Sequence, residues 1–171
     1  MKNFVFIFFF GAILASNAQN NLINKSNGLL NYSYPNNWSE SPYQKVNGNV
    51  TYGCQIFDLG ETAQFSVIEI PNDSEMTNAH NLSKDEIQNL IFNLFSPTSK
   101  FKIIENRNIA GLNSKFVKAD AVTSKGLQLT TILHLTYYKN KILIIQGIYT
   151  TKDENKYLST LNAIFNSVKK I

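Results

Sequence analysis

The sequence predicts an α+β protein, an antiparallel sheet of about six or seven strands flanked by amphipathic helices in an α/β/α sandwich. Three observations lead there. Segments of strand and helix character follow one another as three strands, a helix, four strands and a helix. The breaks between the last four strands are Ala110-Gly111, Ser124-Lys125-Gly126 and Lys139-Asn140. A parallel crossover needs about a dozen residues, so these neighbours must run antiparallel. The last strand, Lys141 to Thr150, is apolar on both parities, with Ile142, Ile144 and Ile148 on one and Leu143, Ile145 and Tyr149 on the other. Such a strand is expected to be covered on both faces.

The N-terminus carries a different signal. Lys2 precedes an unbroken apolar run from Phe4 to Ala15, and the small residues Ser16 and Ala18 lead to a cleavage site ahead of Gln19. This is the layout of a secretory signal peptide over residues 1–18. The run is shorter than the roughly 20 apolar residues that span a bilayer, and no other stretch is apolar enough to span. The expected product is exported, periplasmic or secreted, without a membrane span after cleavage. Residues 19–28 are polar and Asn-rich and are expected to form a flexible lead-in. Residues 29–171 then form a single domain. A domain of about 150 residues buries roughly 70% of the surface of its unfolded chain and holds together by core packing. The single cysteine, Cys54, cannot form an internal disulfide, and its place in a strand predicts a buried, inert thiol.

Sixteen Lys and Arg oppose twelve Asp and Glu, and loss of Lys2 with the leader leaves an excess of three positive charges. The cations are scattered lysines, with Arg107 the only arginine. Nucleic-acid readers rely on arginine for bidentate contacts, so no nucleic-acid partner is expected.

Each element has its own local reason. Leu29 to Tyr34 is a strand stopped by Pro35, which has no amide proton to donate. Asn36 to Asn49 is rich in Asn, Ser, Pro and Gly and is expected to be loop. Asn49 to Leu59 and Thr62 to Ile70 read as a hairpin about a Gly60-Glu61 turn, closed by Pro71-Asn72-Asp73. Ser83 and Glu86 form a capping box, and Ile87, Leu90, Ile91, Leu94 and Phe95 recur on one helical face before Ser96-Pro97 ends it. Strands follow at Phe101 to Ile109, Leu112 to Thr123 and Leu127 to Tyr138, ahead of the last strand. A second helix from Asp153 to Val168 presents Tyr157, Leu158, Leu161, Ile164, Phe165 and Val168 on one face. Lys169 and Lys170 suit the negative end of its dipole.

With the strand Leu-Leu-Asn-Tyr-Ser-Tyr, the turn Tyr34-Pro35-Asn36-Asn37-Trp38, the mid-chain helix, the strand meander and the closing helix in place, the chain resembles the PsbP-like family from Leu29 to Ile171. That is the fold of an extrinsic photosystem II subunit, shared with a Ran-binding import factor. The resemblance implies a small, cofactor-free binding or assembly protein of an exported compartment. It supplies no catalytic residues, and no manganese or calcium ligands match here.

The search for chemistry agrees with that expectation. The chain has no G-x-G-x-x-G, no G-x-x-x-x-G-K-[ST], no H-E-x-x-H and no G-x-S-x-G. S-x-x-K occurs at Ser99 to Lys102 and Ser167 to Lys170, without the S-D-N and K-T-G partners that give it a role. His80 is expected as a solvated loop residue. His134 is expected in a structural or surface role on a strand, with Asp120 on a neighbouring strand in reach of a bridging hydrogen bond. The acidic stretch Asp58, Glu61, Glu69, Asp73 and Glu75 lacks the spacing of a calcium loop. Trp38 is expected to fold over the sheet and close one end of the core, and Tyr43 is the better candidate for an exposed aromatic contact. No catalytic, cofactor-binding or metal-ligating residue is assigned. The expected function is that of an exported, non-enzymatic binding or assembly protein of the envelope or secreted fraction. Its expected partner is another envelope or secreted protein. A small-molecule or lipid carrier holding its ligand between helix and sheet is the alternative, and a hydrolase is a more distant third.

Overall fold

The computed structural model describes residues 22–40, 44–46, 49–58, 61–74, 76–92 and 99–171. In chain order its elements are β1 (Leu22–Ser26), β2 (Leu30–Pro35), β3 (Ser39–Glu40), β4 (Gln44–Val46), β5 (Asn49–Asp58) and β6 (Glu61–Pro71). Helix α1 (Lys84–Phe92) follows, then β7 (Lys100–Ile109), β8 (Leu112–Val122), β9 (Gln128–Tyr138) and β10 (Lys141–Thr150). Helix α2 (Glu154–Ser167) and the short β11 (Lys169–Lys170) close the chain.

The main sheet is antiparallel in the order β3-β5-β6-β10-β9-β8-β7, with β4 also paired to β5. Strand β10 lies between β6 and β9, and its two parities feed separate cores. Leu143, Ile145 and Tyr149 pack with Phe65, Phe116, Ile132 and the α2 residues Tyr157, Leu161, Ile164 and Phe165. Ile142 and Ile144 pack with Ile68, Val117, Leu133, Leu135 and the α1 residues Ile87 and Ile91. The architecture is the expected sandwich, with the sheet as its middle layer. The second layer on the α2 side includes a small sheet, β1-β2-β11, whose Leu30, Tyr32 and Tyr34 join the core beneath α2.

Local signals hold where they were strong. The Ser83 hydroxyl accepts from the Glu86 amide at 3.2 Å, and Glu86 Oε2 accepts from the Ser83 amide at 2.8 Å, the reciprocal capping box. Turns Ala110-Gly111 and Lys139-Asn140 place both central residues at positive φ, the geometry whose twist matches paired strands. Trp38 is buried in the α2-side core.

Three expectations are corrected. The lead-in of residues 19–28 contains β1, an antiparallel partner of β2 over Leu22 to Ser26. Its side chains are mostly exposed, so pairing rather than burial fixes it. The expected loop of residues 36–49 contributes β3 and β4 to the edge at β5. Lys169 and Lys170 form β11 against Asn31 and Leu30, beyond the helix end. Helix α1 is described to Phe92; its expected continuation to Phe95 lies outside the described residues, as do Tyr43 and the side chain of Cys54.

Helix α2 approaches the sheet closely at Gly147. A methyl group there would sit 2.8 and 2.9 Å from the two δ-carbons of fully buried Leu161. The absence of a side chain at Gly147 is therefore what lets α2 settle on β10. Gly147→Ala is expected to destabilise by about 1–3 kcal/mol through overpacking. Leu161→Ala is expected to cost about 2–5 kcal/mol through the cavity it leaves. The double variant places the new methyl in that cavity, so urea denaturation should show it losing clearly less than the sum.

Candidate functional site

The residues that carry most chemistry in the sequence do not converge. Register pairs Phe116 with His134 and Asp120 with Thr130. Asp120 accepts from the Thr130 hydroxyl at 2.9 Å and pairs with Lys102, while His134 Nδ1 lies 2.9 Å from Ser114 Oγ. The expected bridge between Asp120 and His134 is therefore replaced by a Ser114–His134 pair. The imidazole lies 5.3 Å from the Phe116 ring and 5.5 Å from the Phe165 ring. Burial, with a smaller push from the Arg107 guanidinium, lowers its pKa to about 4. His134 is thus a neutral core histidine at pH 7, and Ser114 beside it is fully buried.

His80 is partly exposed and makes one backbone contact. It sits in the 3-10 turn Ala79–Asn81 with Nε2 2.8 Å from the Arg107 carbonyl, on the opposite face of the sheet from His134. Ser167 of the second S-x-x-K clamps the end of α2, donating to the Ile164 carbonyl at 2.7 Å and accepting from the Ser33 amide at 2.8 Å. Under the start of α2, Thr130 and Thr151 hydroxyls lie 3.0 Å apart and Lys118 pairs with Glu154 at 2.8 Å. Burial raises Asp120, but Lys102 and Thr130 outweigh it and hold the carboxyl below its usual range. The Tyr149 hydroxyl is buried beside this cluster; burial first, then the carboxylates of Glu154 and Asp120, push its pKa up. Of the acidic stretch, Glu69 accepts from the Asn27 amide at 3.3 Å, and burial raises its pKa against the pull of Lys141. Among the described residues no group of three or more His, Cys, Asp and Glu is placed to hold a metal ion.

Asp120 and His134 line small pockets of about 200 and 160 Å³, while a larger concave feature among the described residues lies on the α1 side. A groove of about 700 Å³ opens between α1, the adjoining ends of β6, β9 and β10, and the loop after β6. Its floor is apolar: Ile70, Leu82, Leu90 and Ile142, with the Tyr137 ring and Met76. Ile87 and Ile91 of α1 point into the core, which leaves Glu86 and Leu90, one turn apart, along the groove flank. Asn72 builds the loop wall. It is buried, donates to the Met76 carbonyl at 2.9 Å, accepts from the Ser74 hydroxyl at 2.8 Å, and its amide reaches the Asn140 carbonyl at 3.3 Å. The loop is therefore tied to the β9–β10 turn.

Polar groups at the groove are few. The Tyr137 hydroxyl donates to the Met76 sulfur at 3.3 Å, a weak acceptor. Burial, and then the Glu86 carboxylate, raise its pKa. Among the described residues, the charged side chains lining the groove are Asp73 and Glu86, both carboxylates. The Ser83 hydroxyl and amide hold Glu86 below the usual carboxylate range, so it stays ionised into mild acid. Pockets of this size with an apolar floor and a few convergent polar groups are the usual form of a binding site. Sequence reasoning read Pro71-Asn72-Asp73 only as a turn and Tyr137 only as strand, and it missed the groove that they make with α1.

Comparison with known proteins places the architecture. No family model and no curated protein sequence matches the chain. Solved structures do. The cyanobacterial PsbP protein CyanoP from Synechocystis sp. PCC 6803 superposes with a TM-score of 0.60 at 14% identity, over 88% of this chain and 92% of the other. LpqN of Mycobacterium tuberculosis, described as involved in cell envelope biogenesis, gives 0.54 at 9% identity over 89% and 92%. A Pseudomonas aeruginosa protein of unknown function, PA94, termed a putative regulator, gives 0.54 at 11% identity over 85% and 94%. The protein is an antiparallel α+β sandwich. Its particular fold is the PsbP-like one, as the element order anticipates.

The buried histidine gives a pH test. Its folded pKa of about 4 lies below the unfolded value near 6.5, so the unfolded chain takes up the proton first. Stability is full above pH 6.5 and is lost as pH falls toward 4. Between pH 7 and pH 5 the loss should be about 2 kcal/mol from this group. His134→Gln should start from a lower stability and show a much flatter change in urea midpoint over that interval.

Proposed function

We propose that this protein is a non-enzymatic binding protein of an exported compartment, and that it holds a segment of another protein in the groove under α1. The groove carries the reading. It combines an apolar floor with a wall fixed by the buried Asn72, and it is open to solvent rather than enclosed. The groups best suited to chemistry are committed to structure, with His134 against Ser114 and Asp120 against Lys102 and Thr130. Export rests on the leader of residues 1–18 and sits well with a PsbP-like neighbour described as acting in cell envelope biogenesis. No helix among the described residues is long and apolar enough to cross a membrane.

The size of the groove also favours the alternative of a small-molecule carrier, since ligand pockets run from roughly 300 to 1,000 Å³. One substitution separates the readings. Asn89 is exposed on α1 at the groove lip, so Asn89→Trp fills the space without entering the core. Capture from an envelope fraction should recover a protein partner on the native chain and roughly tenfold less on Asn89→Trp; equal recovery would sink the reading. Native mass spectrometry of the purified chain should give a bare mass. A retained small ligand that disappears in Asn89→Trp would favour the carrier instead.

Export makes its own prediction. The chain recovered outside the cytosol should begin at Gln19 by intact mass. A cytosolic chain that retains Met1 would contradict it.

A further inference from the structure

We propose that the segment held in this groove carries an apolar side chain followed within a few residues by lysine or arginine. The inference rests on the reading of the groove as the binding site and adds the chemistry of its occupant. Three features placed side by side argue for it.

The floor between Leu90, Ile70 and Ile142 offers apolar contact to one or two side chains and nothing to pair with a buried charge. The Tyr137 hydroxyl donates to a thioether, so a peptide carbonyl entering the groove would give it a stronger acceptor than the one it has. Among the described residues, charge lining the groove has a single sign. Asp73 on the loop wall and Glu86 on the helix wall are both carboxylates, although the chain as a whole is basic. The nearby lysines do not offset them. Lys141 and Lys139 serve the other side of the sheet, where Lys141 acts on Glu69 and Lys139 lies over the Tyr138 ring at 5.3 Å.

A cation arriving with an apolar anchor would therefore find a carboxylate on either wall. Fatty-acid carboxylates and anionic lipid headgroups would meet repulsion there. Glu86 can serve both tasks, because a carboxylate has acceptor sites beyond the one that closes the capping box.

The test is a random peptide library panned on the purified full chain, with enriched peptides then measured by fluorescence polarisation at low and high salt. Glu86→Gln keeps the capping box, which accepts glutamine in that position, and removes only the charge. Enriched peptides should pair an apolar residue with Lys or Arg. The double variant Glu86→Gln with Asp73→Asn should weaken them roughly fivefold to tenfold and remove most of their salt dependence. Asp73→Lys, away from the helix cap, should weaken them further, and Asn89→Trp should abolish binding. Peptides that lack a basic residue, or that bind the double variant undiminished while Asn89→Trp blocks them, would overturn the charge assignment and leave the groove standing. If no peptide enriches, or binding survives Asn89→Trp, both the occupant and the groove reading fall.

Discussion

The central strand β10 must be buried on both faces, and the rest of the architecture follows from meeting that requirement twice. Ile142 and Ile144 on one face and Leu143, Ile145 and Tyr149 on the other are almost wholly shielded from water. Each of these side chains gains roughly 1.5–3 kcal/mol by being removed from water. Strands β6 and β9 satisfy its backbone, but they cannot cover its faces. Two further layers are needed, and the chain supplies one from each of its helices.

The two covers are unequal. The fourteen residues of α2 lie on one face together with the small sheet, and Gly147 lets the helix approach closely enough for Leu161 to seat on β10. The other face has α1, nine residues long over its described span. Nine helical residues reach roughly 14 Å, whereas a strand of ten residues reaches roughly 33 Å. Over its described residues α1 therefore covers only part of the length of the strands beneath it. At the Tyr137–Ile142 end the sheet is rimmed by the loop that Asn72 ties to the β9–β10 turn. Among the described residues the groove lies beside α1 at that end, and the buried Asn72 braces its loop wall.

How much of this was legible in the sequence depended on how local each determinant is. The Ser83–Glu86 cap, the face of α2 and the double apolar parity of β10 are set within a few residues of chain, and each is present as expected. Trp38 could be placed because a lone tryptophan after Tyr34-Pro35 has few ways to leave the core. Strand β1 was not legible, since the exposed edge segment Leu-Ile-Asn-Lys-Ser shows no apolar–polar alternation and only its pairing with β2 defines it. The partner of His134 depended on register between β8 and β9: Asp120 falls opposite Thr130, and Ser114 falls within reach instead. The groove needed more still, since Asn72, Glu86, Tyr137 and Ile142 meet only after two strand pairings and a helix crossing.

The distribution of polar groups is what supports the proposed binding role. Catalysis requires a group whose proton or electron pair is free to move at the reacting centre, held near its working pKa. The histidine with the largest shift is buried under Phe116 and Phe165 on the α2 face, away from the groove on the α1 face. What lines the groove is a hydroxyl aimed at a sulfur, a wall amide bonded to its own loop, and two carboxylates at the lip. In the proposed binding role these groups would select by shape and charge. On that reading, such a lining suits recognition of a guest by apolar contact and charge.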